Sequence, residues 1–215
     1  MLKSYFQFMF YDTQQSYLRQ TRRRRSRSFV QGFLKLHYAY FDAGSISITD
    51  IDGSGVTVNS SANESERMFN STSGGRGGTS LSIYNNTDSA GAATTTATDN
   101  GIIVGTGTTA VAPTDYQLAT RIADGITSGA LEYFPCGGTT PTNSGTSGSF
   151  TLERLFRNSS GGSITINEVG IYCIRTNVGT LDTRNFCIIR DIVSPGFAVA
   201  NGEYMRVIYT ITLTA

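Results

Sequence analysis

Residues 163–173 carry the sequence SITINEVGIYC, in which apolar residues alternate with small polar ones before an apolar end. A period of two is typical of a strand that buries one face. We predict one long strand over Ser163–Cys173, with a β-bulge at Gly170. The same chemistry closes the chain, where Val207–Leu213 reads VIYTITL. These two segments indicate a β-rich fold.

Other segments support the same fold class. A hairpin is predicted where Ser45–Ile51 alternates, Asp52–Gly55 forms a turn and Val56–Val58 continues. Further strands are predicted over Phe33–Tyr40, Gly101–Gly105, Ala130–Phe134, Ser149–Phe156, Asn185–Asp191 and Tyr204–Leu213, and Tyr116–Ile122 fits a strand or a helical turn. Many short strands between Gly, Ser and Asn turns predict an all-β domain, an antiparallel β-sandwich of jelly-roll-like form.

The composition excludes several other classes. Gly, Ser and Thr together make up 76 of the 215 residues, and only 15% of the residues are charged. The 23 tyrosines and phenylalanines argue against a wholly disordered chain. No apolar run approaches the roughly 20 residues of a membrane-spanning helix. The most polar stretches, 59–100 and 137–149, are expected to be loops.

Charge is distributed unevenly along the chain. Residues 1–40 hold eight basic residues and one acid, and the rest of the chain has a net charge of −6. We predict a basic, aromatic N-terminal arm over residues 1–30, extended or partly helical, joined to a β-domain over 31–215. The good helix formers in Gln14–Arg27 make a helix plausible there. No convincing export signal precedes the arginines.

The arginine cluster of this arm has three interpretations: binding of nucleic acid phosphates, docking on an acidic neighbour, or a solvated tail. Docking is favoured because aromatic residues that could anchor in a partner's groove flank the cluster. The residues predicted to dock are Arg22, Arg23, Arg24, Arg25, Arg27, Phe29 and Phe33.

Two motifs imitate ligand sites. Gly105, Gly107 and Ala110 have the spacing of a dinucleotide-binding turn, but poor helix formers and Pro113 follow where a helix is required. Asp50–Gly55 resembles half of a calcium loop, but it lacks the glutamate that would complete it. We expect both motifs to be turns, and we expect neither a cofactor nor a metal.

Candidate catalytic groups are few. His37 is the only histidine, and the glutamates at 132, 153 and 168 are not placed face to face by any pattern. We therefore expect no enzymatic activity. Glu168 has a different prediction: it either forms an ordinary rim salt bridge or acts as a buried, hydrogen-bonded latch that fixes the bulge at Gly170. The available partners are Arg154, Arg157 and Arg190.

The cysteines number three, at Cys136, Cys173 and Cys187. Their spacing does not suggest a metal site. Buried thiols are expected in a protein made in a reducing cytosol, and a bridge between Cys173 and Cys187 is the alternative.

Three stretches of the second half follow a pattern seen in virion proteins of tailed bacteriophages. They are Gly101–Leu118 with Arg121-Ile122 after it, Phe156–Tyr172, and the closing run from Arg190 through Pro195 and Asn201–Glu203 to Thr210. Over residues 100–215 the chain thus resembles this family, whose members are structural components of capsid, collar, tail or fibre. The resemblance implies a virion role and leaves the location open. It does not extend to the basic N-terminal arm.

The expected function is that of a non-enzymatic, self-assembling structural protein of a bacteriophage virion, made in the bacterial cytoplasm. Its partners would be copies of itself and other virion proteins, with nucleic acid as a less favoured partner and no membrane. The alternatives are a receptor- or glycan-binding tip that uses the polar loops, and an extracellular cellular filament built by strand exchange.

Overall fold

The described part of the chain is mostly antiparallel β-sheet. The computed structural model describes residues 2–26, 28–41, 46–58, 99–176 and 183–215. The helix and strands of these residues are β1 (Leu2–Tyr11), β2 (Tyr17–Gln20), β3 (Arg24–Ser26), α1 (Gln31–Phe41), β4 (Ile46–Thr49), β5 (Gly55–Val58), β6 (Gly101–Gly105), β7 (Glu132–Gly138), β8 (Thr142–Ser144), β9 (Ser147–Arg157), β10 (Ile164–Thr176), β11 (Thr183–Val199) and β12 (Tyr204–Thr214). The predicted all-β class is confirmed.

The strands form three sheets. Sheet A has the order β2-β1-β12-β9-β7. Strand β3 also pairs with β1, at a different part of β1 from β2, and β8 pairs with β9. Sheet B has the order β11-β10-β6, and β4 and β5 form the predicted hairpin. Side chains of sheets A and B and of α1 belong to one hydrophobic cluster. The strand β6 lies within this cluster with all five residues buried.

The first thirty residues differ from the predicted arm. Strand β1 pairs with β12 along its whole length, from Leu2 opposite Leu213 to Tyr11 opposite Tyr204. Its even-numbered residues from Ser4 to Phe10 are buried and its odd-numbered ones are not. This period of two places a row of phenylalanines in the core, so residues 2–26 belong to sheet A. The helix predicted over 14–27 is wrong, because β2 and β3 pair with β1 there.

The strand predicted over Phe33–Tyr40 is also wrong, because α1 occupies this segment. Burial follows helical spacing: Gly32 and Leu36 are buried one turn apart, while Leu34 and Tyr38 are exposed. The run of aromatic and apolar residues has no clear period of two, so propensity alone had suggested a strand. A Cβ atom at Gly32 would collide with the carbonyl oxygen of Cys187, which explains the close approach of α1 to β11.

The polar stretches also differ in part from expectation. Within the predicted loop 137–149, β7 continues to Gly138, and β8 forms an exposed hairpin with the start of β9. Tyr116–Ile122 is neither strand nor helix, and it pairs with β6 through an isolated bridge between Arg121 and Gly105. The strand suggested within 59–98 lies outside the described residues.

The three cysteines are free and buried, which confirms the prediction of buried thiols and leaves the alternative bridge unformed. Burial raises the pKa of the Cys173 thiol to about 12 and raises that of Cys187 as well. Protonated thiols of this kind behave as small apolar core residues.

Candidate assembly surface

Glu168 on β10 is a buried carboxylate with several hydrogen-bond donors. Its side chain is buried, and its carboxylate accepts hydrogen bonds from the backbone N–H groups of Gly107 at 3.1 Å, Ala119 at 3.0 Å and Thr120 at 2.7 Å. These donors come from the irregular segment that follows β6. Glu168 therefore fastens this segment to sheet B, which supports the predicted latch.

Arg190 of β11 completes the network. Its Nε donates to Glu168 Oε2 at 3.0 Å, its Nη1 contacts Asp115 Oδ2 at 2.5 Å, and its Nη2 donates to the carbonyl oxygen of Thr109 at 2.8 Å. Burial by itself lowers the pKa of Arg190, but the hydrogen bonds and charges of the two carboxylates outweigh it, so the net pKa is raised. The guanidinium thus stays charged between two carboxylates.

The glycines of the dinucleotide-like motif serve this latch. A Cβ atom at Gly105 would lie 2.6 Å from Glu168 Oε1, and one at Gly107 would collide with the same oxygen. The backbone must approach the carboxylate closely, which only glycine permits. The Gly107 N–H donates to the chain's own carboxylate, and the Thr106 N–H donates to the Thr120 carbonyl oxygen, so neither is free for a phosphate. The turn interpretation of the motif is therefore the one that agrees with the structure.

Gly170 does not form the predicted bulge. It pairs regularly with Arg190 on one side and Ile103 on the other, and the irregularities of β10 lie at Ile166/Glu168 and Ile171/Tyr172. A Cβ atom at Gly170 would lie 2.6 Å from the carbonyl oxygen of Ile189. Gly170 is therefore explained by close packing between strands, and Glu168 holds the segment after β6 rather than a bulge at Gly170.

The calcium-like sequence is closed by its own hydrogen bonds. Asp50 is buried, and its Oδ1 accepts from the N–H groups of Asp52 at 3.0 Å and Ser54 at 2.8 Å. Its Oδ2 pairs with Arg184 at 3.1 Å. Both oxygens are used within the turn, and the described residues contain no group of three or more His, Cys, Asp or Glu side chains suited to a metal.

The possible catalytic groups are dispersed. His37 lies on α1, where its ring contacts Phe33 with centroids 4.1 Å apart. Glu132 bonds to Ser159, and the exposed Glu153 lies 3.8 Å from an arginine of β12. With Glu168 buried in its latch, the structure does not bring the three glutamates together.

The arginine cluster lies along one edge of sheet A. We call residues 17–26 the basic edge; they comprise β2, the connection 21–23 and β3. All four residues of β2 are exposed, including Tyr17 at 53% and Leu18 at 45%. Arg22, Arg23 and Arg25 are exposed as well. The edge therefore presents cations beside exposed apolar side chains.

The arginines of this cluster differ from the others in their partners. Arg23 lies over the ring of Tyr5 at 4.3 Å, and Arg24 lies over Phe197 at 4.8 Å and donates to the Ser194 carbonyl oxygen at 2.9 Å. Among the described residues, no carboxylate forms an ion pair with any arginine from 22 to 25. Such ion pairs are made by Arg19, Arg121, Arg157, Arg184, Arg190 and Arg206.

The remaining predicted docking residues are placed elsewhere. Phe29 bridges Ile189 of β11, and its ring stacks on Phe33 with centroids 4.3 Å apart. Both rings are half-buried against the hydrophobic cluster, so they are not free anchors. Arg27 lies outside the described residues. Tyr17 is one of the flanking aromatic residues suggested by the sequence as an anchor, and it is exposed. The exposed Leu18 beside it was not predicted, because a four-residue strand gives no pattern of its own.

The edges of the two large sheets differ in how far other parts of the chain cover them. In sheet B, backbone hydrogen bonds join β11 to Ser28 and Val30, and join β6 and the residue after it to Thr120 and Ile122. In sheet A, the β7 edge is interrupted by Pro135, which has no N–H to donate. No described strand covers the outer side of β2 and β3. Among the described strands, β2 and β3 therefore form an open edge of sheet A that carries the arginines, and the short exposed strand β8 forms another.

Comparisons with protein-family models, with curated proteins and with solved structures found no match. Among the described helices and strands, no helix has the length and apolar character needed to cross a membrane.

Proposed function

We propose that the chain is a non-enzymatic structural protein of a bacteriophage virion, a capsid, collar or tail component that docks on copies of itself and on neighbouring virion proteins. The proposal combines the resemblance of residues 100–215 to tailed-phage virion proteins with the surface described above.

The observation that carries the proposal is the open basic edge. An unpaired strand edge is a template for pairing with another chain, and soluble proteins usually protect it. Sheet B has covered edges, and β7 of sheet A is interrupted by a proline, whereas Tyr17–Gln20 leaves exposed apolar side chains at its edge. An edge left open beside unpaired cations suits a protein whose partner covers it after assembly.

We further propose that sheets A and B pack face to face as a β-sandwich of jelly-roll-like form. The shared hydrophobic cluster supports this arrangement. So does Arg154 of β9, which is buried and donates to the carbonyl oxygens of Asn100 at 2.9 Å and Ile102 at 3.1 Å. These bonds link sheet A to β6 of sheet B, as expected for a rigid unit that repeats in an assembly.

The test is immunogold electron microscopy of particles released by the bacterial cells that encode the chain. We expect gold at a defined place on phage particles. A double charge reversal, Arg22→Glu with Arg25→Glu, should reduce incorporation, whereas Arg121→Glu on the distant segment after β6 should not. Chain found only outside particles would contradict the proposal, and label on cell-surface fibres would favour the filament alternative.

The receptor-binding alternative has one observation in its favour. A groove of about 730 Å³ is lined by the β8–β9 hairpin together with Leu2, Ile211 and Leu213. Because this lining is mainly apolar, the groove suits an apolar protein segment better than a glycan. Gold confined to fibre tips, with incorporation unaffected by the charge reversals, would support this alternative.

A further inference from the structure

The basic edge also specifies the chemistry of what covers it. We propose that an extended acidic segment of a neighbouring protein adds to sheet A as a strand beside β2 and β3. The inference deepens the proposed docking function, because it names the class of partner for the same edge.

The first observation is that exposed arginines of the basic edge have no carboxylate partner among the described residues. Elsewhere the described chain supplies carboxylates to exposed arginines, as Asp99 does for Arg121 through a contact of 2.6 Å. Arg22 and Arg25 are exposed, and no described carboxylate pairs with them. Four consecutive cations repel one another unless anions lie nearby. No carboxylate of the described residues lies beside these two arginines, and in this proposal the neighbouring protein supplies the complementary charge.

The second step is the geometry of the edge. Strand β3 pairs with Ser4–Phe6, β2 pairs with Met9–Tyr11, and between them the Thr21 N–H donates to the Phe8 carbonyl oxygen at 2.9 Å. The edge thus spans eight residues of β1 as two short strands joined by the irregular connection 21–23. An added strand would use the outward backbone groups of this edge, as in β-strand addition. A segment of about eight residues matches its length.

The third step separates a peptide from a nucleic acid. Phosphates would satisfy the arginines, but they would leave the backbone groups of the edge and the side chains of Tyr17 and Leu18 uncovered. A strand with carboxylates near Arg22 and Arg25 and apolar side chains near β2 would satisfy charge, backbone and apolar surface together. The observations therefore favour an acidic, partly apolar peptide strand.

The experiment uses the full-length chain and an eight-residue fluorescent peptide of alternating glutamate and valine. Binding is measured by anisotropy at low salt and in 0.5 M salt. We expect saturable binding that weakens as salt rises and that weakens at least about tenfold in the Arg22→Glu, Arg25→Glu variant. The matched control, Arg121→Glu, should bind as the unmodified chain does.

Two further probes test the strand geometry and the ligand class. A peptide of the same sequence with alternate backbone nitrogens methylated keeps its charges but loses donors, and it should bind at least about tenfold more weakly. Equal binding of both peptides, or no binding of either, would overturn the proposal. Tighter binding of a thymidine oligonucleotide than of the peptide would overturn it in favour of nucleic acid. The peptide experiments use the isolated chain, so their result is independent of the virion role. The immunogold experiment tests that role.

Discussion

Replacing the buried Glu168 by glutamine is the most informative single change to the fold. The substitution keeps the shape of the side chain but removes its charge and one of its two acceptor oxygens. Oε1 accepts from Gly107 and Thr120, and Oε2 accepts from Ala119 and Arg190. In either orientation of the amide, two of these four donors face an NH₂ group.

The expected cost follows from this geometry. Arg190 would keep Asp115 as a partner but lose the carboxylate 3.0 Å from its Nε. Removing one partner of a buried ion pair costs about 3–5 kcal/mol of unfolding free energy. For a chain of this size, each kcal/mol lowers the melting midpoint by about 2–4 °C. We therefore expect Glu168→Gln to lower the midpoint by about 10 °C.

The assay is urea and thermal unfolding followed by far-UV circular dichroism, with Glu153→Gln as the matched control. Glu153 undergoes the same chemical change, but its side chain is 49% exposed and lies 3.8 Å from Arg206. An exposed pair of this kind contributes less than about 1 kcal/mol. If Glu168→Gln were no more destabilising than Glu153→Gln, the latch would not hold the segment after β6.

Three further predictions concern packing and titration. Gly107→Ala should destabilise the fold by about 1–3 kcal/mol in urea unfolding, because its Cβ would collide with the latch carboxylate, whereas Gly162→Ala, in open space, should be nearly neutral. Arg19 holds the pKa of Glu203 below its usual value, so this pair stabilises the fold above the ordinary carboxyl pKa and the effect is lost as pH falls through the lowered pKa. Arg19→Ala should therefore cost more at pH 7 than in acid, where the contacts of Arg19 with Phe10 and the Ala198 carbonyl oxygen remain but the ion pair does not, and an equal cost at both pH values would contradict this. Burial raises the pKa of the Cys173 thiol to about 12. Its protonated form therefore stabilises the fold below the ordinary thiol pKa, and this contribution is lost as pH rises toward 12. A thiol reagent should react with it only on unfolding, and fast reaction of the native chain at pH 8 would contradict its burial.

The sequence was most informative where one face of a strand is buried against the core. The hairpin of β4 and β5, the apolar β6 and the alternating β10 were all predictable, because period two and turn residues are local signals. Helix α1 was missed because its aromatic run suits either structure until Gly32 and Leu36 meet β11. Such a contact joins residues that are far apart in the sequence, so no local pattern predicts it.

The candidate surface was only partly predictable for the same reason. A carboxylate beside apolar strand residues suggested that Glu168 is a latch. Its backbone donors, however, lie 48 to 61 residues away in the chain, so the role of Gly105 and Gly107 is evident only in the fold. The arginine run was predicted to be a docking element. Its place on an open edge depends on β1 pairing with the last strand, about 200 residues away in sequence.

The most direct test is hydrogen–deuterium exchange of backbone amides, measured on the free chain and on purified particles that contain it. If the basic edge docks on a neighbour, those amides of residues 17–26 that are not bonded to β1 exchange freely in the isolated chain and become protected in the particle. Unchanged exchange at this edge, with protection only at other surfaces, would contradict docking through β2 and β3.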